Sequence, residues 1–170
     1  MATSIQIPMA LSTVSLANSN CFWTTKDGTN FDYSYLAFKD AVAGTALFWC
    51  IVPKNLAGTA NWTIKIHHGV DSGAGGNVIL DISALDFADG ATIDAALTSL
   101  EADRTLATGA AGLLQIDNLA TTGAAIFDAD EAITAGNLLL VQITRDGANA
   151  SDTLSATWAL LAVILECDVV

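Results

Sequence analysis

The chain has 170 residues, 52% of them hydrophobic, and 18 acidic against 6 basic side chains give a formal net charge of −12. A chain of this length forms about one domain and buries roughly two-thirds of its unfolded surface in a single core, so disorder is not expected. The cations Lys26, Lys39, Lys54, Lys65, Arg104 and Arg145 are scattered; they form no basic stripe to release counterions from nucleic acid or to dock on anionic lipid, which excludes both partners.

Residues 1–20 read as an amino-terminal arm, because Pro8 cannot donate to a sheet ladder and no periodic face emerges around it. Residues 21–170 read as the domain. Within it, residues 21–25 and 33–38 flank Asp27-Gly28, whose backbone freedom suits a hairpin. Residues 45–52 are apolar on both faces and predict a central strand that holds Trp49 in the core. Trp62, Ile64 and Ile66 alternate with Thr63, Lys65 and His67, the period-two pattern of a half-buried strand. The glycine-rich loop from Asp71 to Gly76 then predicts a hairpin between that strand and residues 77–85.

Over residues 89–108 the spacing of Ile93, Ala96, Leu97 and Leu100 predicts a short helix capped by Thr92. Residues 113–119 and 123–127 read as short strands and 128–132 as an acidic turn. A strong strand over residues 138–145, a loop over 146–152 and a long closing strand over 154–167 complete the chain. Eight or nine strands, one short helical insertion and no βαβ alternation predict an all-β fold, an antiparallel β-sandwich of jelly-roll type.

The longest apolar stretches, residues 46–52 and 158–165, are far short of the roughly 20 residues that cross a bilayer. No Lys or Arg precedes the apolar part of the amino terminus, so it does not read as a secretory signal and synthesis in the cytosol is expected. Cys21, Cys50 and Cys167 are odd in number and far apart; they read as buried free thiols, without a disulfide framework or zinc site.

Arg145 lies across a short loop from Asp152, so the two can pair and pin that loop; an exposed pair of this kind contributes about 0–1 kcal/mol. In the closing strand Ala159, Leu161, Val163 and Leu165 share one face, and Trp158, Leu160, Ala162 and Ile164 the other. Neither face suits water, so one is assigned to the core and the second, Trp158 to Ile164, to an oligomer interface.

The run Ile143-Thr144-Arg145-Asp146, then Ser151-Asp152-Thr153-Leu154, then Leu160-Leu161, Val163 and Leu165 resembles the carboxy-terminal hairpin of tailed-bacteriophage virion jelly-roll proteins. That family holds capsid decoration (cement) proteins and head or tail fibre proteins, and Trp62-Thr63-Ile64-Lys65-Ile66 resembles its upstream strand. The resemblance covers residues 45–167 in pattern; Cys167 stands where the family would carry an aromatic, and residues 1–44 match nothing in it. It implies a non-enzymatic structural protein of the virion, made in the host cytoplasm. More narrowly it implies a capsid decoration protein that binds as a homotrimer to the phage major capsid protein, with Ile5, Ile7, Pro8 and Met9 of the arm as docking residues. The alternative is a fibre or receptor-binding module that recognises a host glycan.

No residue constellation predicts catalysis, a cofactor or a metal. His67 and His68 are adjacent on a strand and point to opposite faces. No nucleophile elbow occurs, and Gly73, Gly75 and Gly76 lack the lysine of a phosphate loop. Asp128, Asp130 and Glu131 lack the spacing of a calcium loop and read as a solvated turn. For sugar stacking, Trp62 shares its face with Ile64 and Ile66 and reads as buried, which leaves Trp23, near a turn, as the candidate exposed aromatic.

Overall fold

The computed structural model describes residues 3–14, 20–56, 62–119 and 133–169. These carry β1 (Thr3–Pro8), β2 (Ala10–Val14), β3 (Cys21–Lys26), β4 (Tyr33–Phe38), β5 (Ala43–Ile51), β6 (Trp62–Val70), β7 (Asn77–Phe87), β8 (Thr98–Ala107), β9 (Gln115–Leu119), β10 (Leu138–Asp146) and β11 (Trp158–Val169). The strands form two antiparallel sheets. The first runs β3-β4-β11-β6-β9, with β1 beside the second half of β11, and the second runs β2-β5-β10-β7-β8. Their facing sides form one core that includes Phe38, Ile64, Ile66, Leu80, Ile82, Val141, Ile143, Trp158 and Leu165. Fully burying a side chain of this size contributes about 1.5–3 kcal/mol, so the two inward rows hold the sandwich closed.

The hairpin over residues 21–38 forms as β3 and β4. The two other expected hairpins do not, because β6 and β7 lie in different sheets, as do β10 and β11. The loops after Val70 and Asp146 therefore cross between the layers. A cross-layer connection lets each strand of a buried pair meet the opposite sheet, which local patterning cannot distinguish from a hairpin.

No helix occurs among the described residues. Residues 98–107 instead pair with β7 as an edge strand, interrupted by register shifts. Ile93, Ala96 and Leu97 precede that strand, and Ile93 is 89% exposed, so a helix there would have no face to bury. The strand expected over residues 113–119 starts at Gln115, and residues 123–127 lie outside the described residues.

The amino-terminal segment is built into the sandwich. β1 pairs with β11 from Thr3↔Val169 to Pro8↔Ile164, and β2 pairs with β5 in the other sheet. Ile5 and Ile7 pack against the core, and Met9 is buried at the crossing between sheets. Pro8 is tolerated at the last position of an edge segment, where its missing donor costs little. Of the residues assigned to capsid docking, Met9 is buried and Ile5 and Ile7 are half-buried against the core, while Pro8 is exposed.

A register shift between Leu160 and Ala162 divides the closing strand. Trp158 and Leu160 precede it and lie in the core, while beyond it Val163, Leu165 and Cys167 point inward. Ala162 and Ile164 are therefore half-buried on the outer face. The four residues assigned to one interface do not share a face, because an extra residue flips the period-two pattern. Trp49 departs from expectation as well: β5 alternates regularly, and Trp49 is 39% exposed on the outer side.

Arg145 and Asp152 form a fully buried pair. Arg145 Nε donates to Asp152 Oδ2 at 3.0 Å and Nη2 to Oδ1 at 2.8 Å. The remaining donors reach the carbonyls of Phe38 (3.2 Å) and Ala156 (2.9 Å) from Nη1 and of Leu154 (2.7 Å) from Nη2. All five guanidinium N–H groups are thereby satisfied. Asp152 Oδ2 also accepts from the Ile79 amide. The pair ties the loop between β10 and β11 to both sheets, a stronger role than the exposed contact expected from sequence.

Candidate binding site

The outer face of the first sheet carries a trough whose floor follows from three small residues. β4 alternates, sending Leu36 and Phe38 into the core and Tyr33, Tyr35 and Ala37 outward. Ala159 of β11 pairs with Ala37 on one side and Gly69 of β6 on the other. This row has no side chain larger than a methyl group, so the sheet backbone itself is the floor.

The loop between β8 and β9 forms one wall and leans on that floor. Gly69 is needed there, since a Cβ would stand 2.9 Å from the carbonyl oxygen of Leu113. Gly112 has φ +80°, a left-handed turn that carries the chain into Leu113 and Leu114. The extra residue in β11 places Leu161 against the same cavity. Phe31 and Tyr33 form the opposite wall, with ring centroids 6.4 Å apart in an edge-on arrangement, and Tyr33 continues to Tyr35 at 6.0 Å. The enclosed volume is about 250 Å³, lined by Phe31, Tyr33, Gly69, Val70, Gly112, Leu113, Leu114, Ala159 and Leu161. Phe31 is 73% exposed, a large apolar ring left in water at the mouth.

Polar groups gather at one end. Lys26, opposite Tyr33 in the hairpin, donates to the Asp71 carbonyl, and Ser72 Oγ donates to Asp71 Oδ1 at 3.0 Å. Burial raises the Tyr35 phenol above its usual range, and the Asp71 carboxylate adds to the shift by charge and hydrogen bonding. The trough therefore combines apolar walls with a few polar groups at its rim, the makeup of a recognition site.

Tyr33 carries the one polar side chain of the lining. His68 lies on the opposite side of β6, fully buried. Trp158 Nε1 donates to its Nδ1 at 3.0 Å, and its Nε2 is 2.8 Å from Asp117 Oδ2. Indole can only donate, so Nδ1 carries no proton and Nε2–H donates to the carboxylate. The histidine is a core strut between β11 and β9. His67 is half-buried on the outer face beside Ala162. Among the described residues no cluster of three metal-ligating side chains occurs; Asp128, Asp130 and Glu131 lie outside them.

Of the residues singled out from sequence, Arg145 and Asp152 are brought together, but away from the trough. Trp62 is buried. Trp23 is 58% exposed, yet it sits on the edge strand and shares its face with Leu36 rather than with Tyr33. Phe31, Tyr33, Leu113 and Leu114 escaped the sequence reading. The alternation of Tyr33 and Tyr35 around Ser34 could have flagged an aromatic outer face; the walls from the distant loop carry no local signal. A second apolar surface lies on the outer side of the other sheet, where Trp49, Leu140 and Leu85 form one row and Ile51, Leu138 and Phe87 the next. It is a sheet face without walls.

No protein-family model matches the sequence, and no curated protein matches it. Among solved structures the chain is similar to the enzymatically active domain of tailspike protein 4 of bacteriophage CBA120, at 10% identity and a TM-score of 0.45 over 96% of this chain and 19% of that one. It spans about a fifth of that structure's length. It is also similar to TmCBM61 solved with β-1,4-galactotriose, at 9% identity and a TM-score of 0.40 over 94% of this chain and 87% of that one. A third is the family 11 carbohydrate-binding module of Clostridium thermocellum solved with a mixed-linked tetrasaccharide, at 6% identity and a TM-score of 0.41 over 94% and 95%.

Proposed function

We propose that this protein is a non-enzymatic module that recognises a glycan through the trough on its first sheet. The observation that carries the reading is the pair of aromatic rings, Phe31 and Tyr33, standing over a floor of bare sheet backbone. A pyranose ring has apolar C–H faces and a hydroxylated edge. Aromatic walls pack on the faces, while the Tyr33 phenol, Asp71 and Lys26 at the rim suit the hydroxyls. The strand order β4-β11-β6-β9 over β5-β10-β7-β8 supports reading the sandwich as a jelly roll, in which a sheet's outer face is rigid enough to present such a site.

A glycan array tests the reading, with Phe31→Ala and Tyr33→Ala variants run beside the native protein. Binding that falls at least about tenfold in each variant, with unchanged thermal unfolding, is the expected result, since a wall ring contributes on the order of 1–2 kcal/mol. An empty array, or binding that both variants keep, overturns it.

A further inference from the structure

The trough's size and charge define its ligand more narrowly. Its volume of about 250 Å³ falls below the roughly 300–1,000 Å³ of sites for drug-sized ligands. Phe31 and Tyr33 on one side and Leu113, Leu114 and Leu161 on the other bound it across the sheet. About one pyranose ring fits between these walls.

None of the lining side chains is charged. Next to the lining residues in the chain, Asp32 lies between Phe31 and Tyr33 and accepts from the Gly28 amide at 3.2 Å, and Asp71 follows Val70; against these two carboxylates stands Lys26, bonded to the Asp71 carbonyl. Arginine, the side chain suited to bidentate grip on a carboxylate or sulfate, occurs twice in the chain. Arg145 is spent in the core, and Arg104 lies on β8 of the other sheet beside Glu101. An anionic sugar would meet two carboxylates against one ammonium next to the trough, on a molecule of net charge −12.

Resting on the glycan-binding reading, we propose that the trough takes a single terminal pyranose that is neutral and rejects uronic, sialylated and sulfated sugars. Titration calorimetry on the full chain tests this with matched probes: methyl β-glucopyranoside, methyl β-galactopyranoside and methyl α-mannopyranoside, their uronic acid and 6-sulfate counterparts, and β-linked di- and trisaccharides of the same sugars.

The expected result is that at least one neutral glycoside binds and that its charged counterparts bind at least about tenfold more weakly, since like-charge juxtaposition costs several kcal/mol. Lengthening that sugar should change its affinity by less than about threefold, as added rings find no wall. Asp32→Asn should narrow the gap between neutral and charged probes. A charged probe that binds as well as its neutral counterpart, or affinity that climbs tenfold with length, overturns this inference and leaves the glycan reading standing. If no probe binds while the array shows binding only to acidic glycans, the inference falls alone; if neither assay shows binding, both fall.

Discussion

Arg145 shows how one side chain can hold a loop between two layers. Its guanidinium is fully buried, and all of its donors are used by Asp152 and the carbonyls of Phe38, Leu154 and Ala156. Removing it leaves the buried Asp152 carboxylate with the Ile79 amide alone and takes a donor from each of these carbonyls. Arg145→Met should therefore cost about 3–5 kcal/mol in chemical denaturation, and Arg145→Lys should recover only part of this because an ammonium cannot form the fork. A loss below 1 kcal/mol for Arg145→Met would show that the network contributes little. That Arg145 reaches Asp152 was legible in the short loop between them. Its burial was not, because burial depends on which strands the loop crosses to. His68 offers a second check: its bond from Trp158 fixes the Nε2–H tautomer, which long-range nitrogen–proton NMR correlations should show at neutral pH; an Nδ1–H signature would contradict the arrangement.

At the scale of elements, the first two strands tie the sheets together, since β1 extends the first sheet at β11 and β2 extends the second at β5. Deleting residues 1–14 should strip both pairings, expose the edges of β11 and β5, and lower the unfolding midpoint by well over 10 °C or drive aggregation. A truncated protein as stable as the full chain would restore the view of this segment as an arm. Glu166 links three strands, accepting from Lys65 of β6 at 2.5 Å and from Gln6 of β1 at 2.7 Å. Those hydrogen bonds, led by the one from Lys65, hold its carboxyl below the usual value of 4.5. The contribution is thus present above that value and is lost as pH falls through the lowered folded one. The pair is part-exposed, so Glu166→Gln should cost no more than about 1 kcal/mol at neutral pH. The gap between native and variant stability should narrow as the solution is acidified below 4.5; a gap that stays constant throughout acid titration would contradict this.

The strands themselves were largely legible: β6 from the alternation of a half-buried strand, and β5 from an apolar run that the structure shows to alternate in burial. What alternation hides is a single inserted residue. The shift at Leu161 reverses the faces of β11, and those in β8 interrupt the alternation of that edge strand. Each broke the period on which the reading depended.

Among the described residues of the whole molecule, the sandwich leaves two apolar surfaces on opposite outer faces of an acidic body. One is the trough framed by Phe31, Tyr33, Leu113 and Leu114, and the other is the open sheet face around Trp49, Ile51 and Leu140. The trough was beyond the reach of sequence because its walls come from residues 31–33, 112–114 and 161, far apart in the chain, and its floor is defined by what Gly69, Ala37 and Ala159 lack. Amide NMR mapping with the tightest-binding glycan from the array discriminates between the two surfaces. Shifts centred on Phe31, Tyr33, Gly69, Gly112, Leu113 and Ala159 are the predicted result. Shifts centred on Trp49, Ile51, Leu85 and Leu140, with the trough silent, would contradict the assignment of the site.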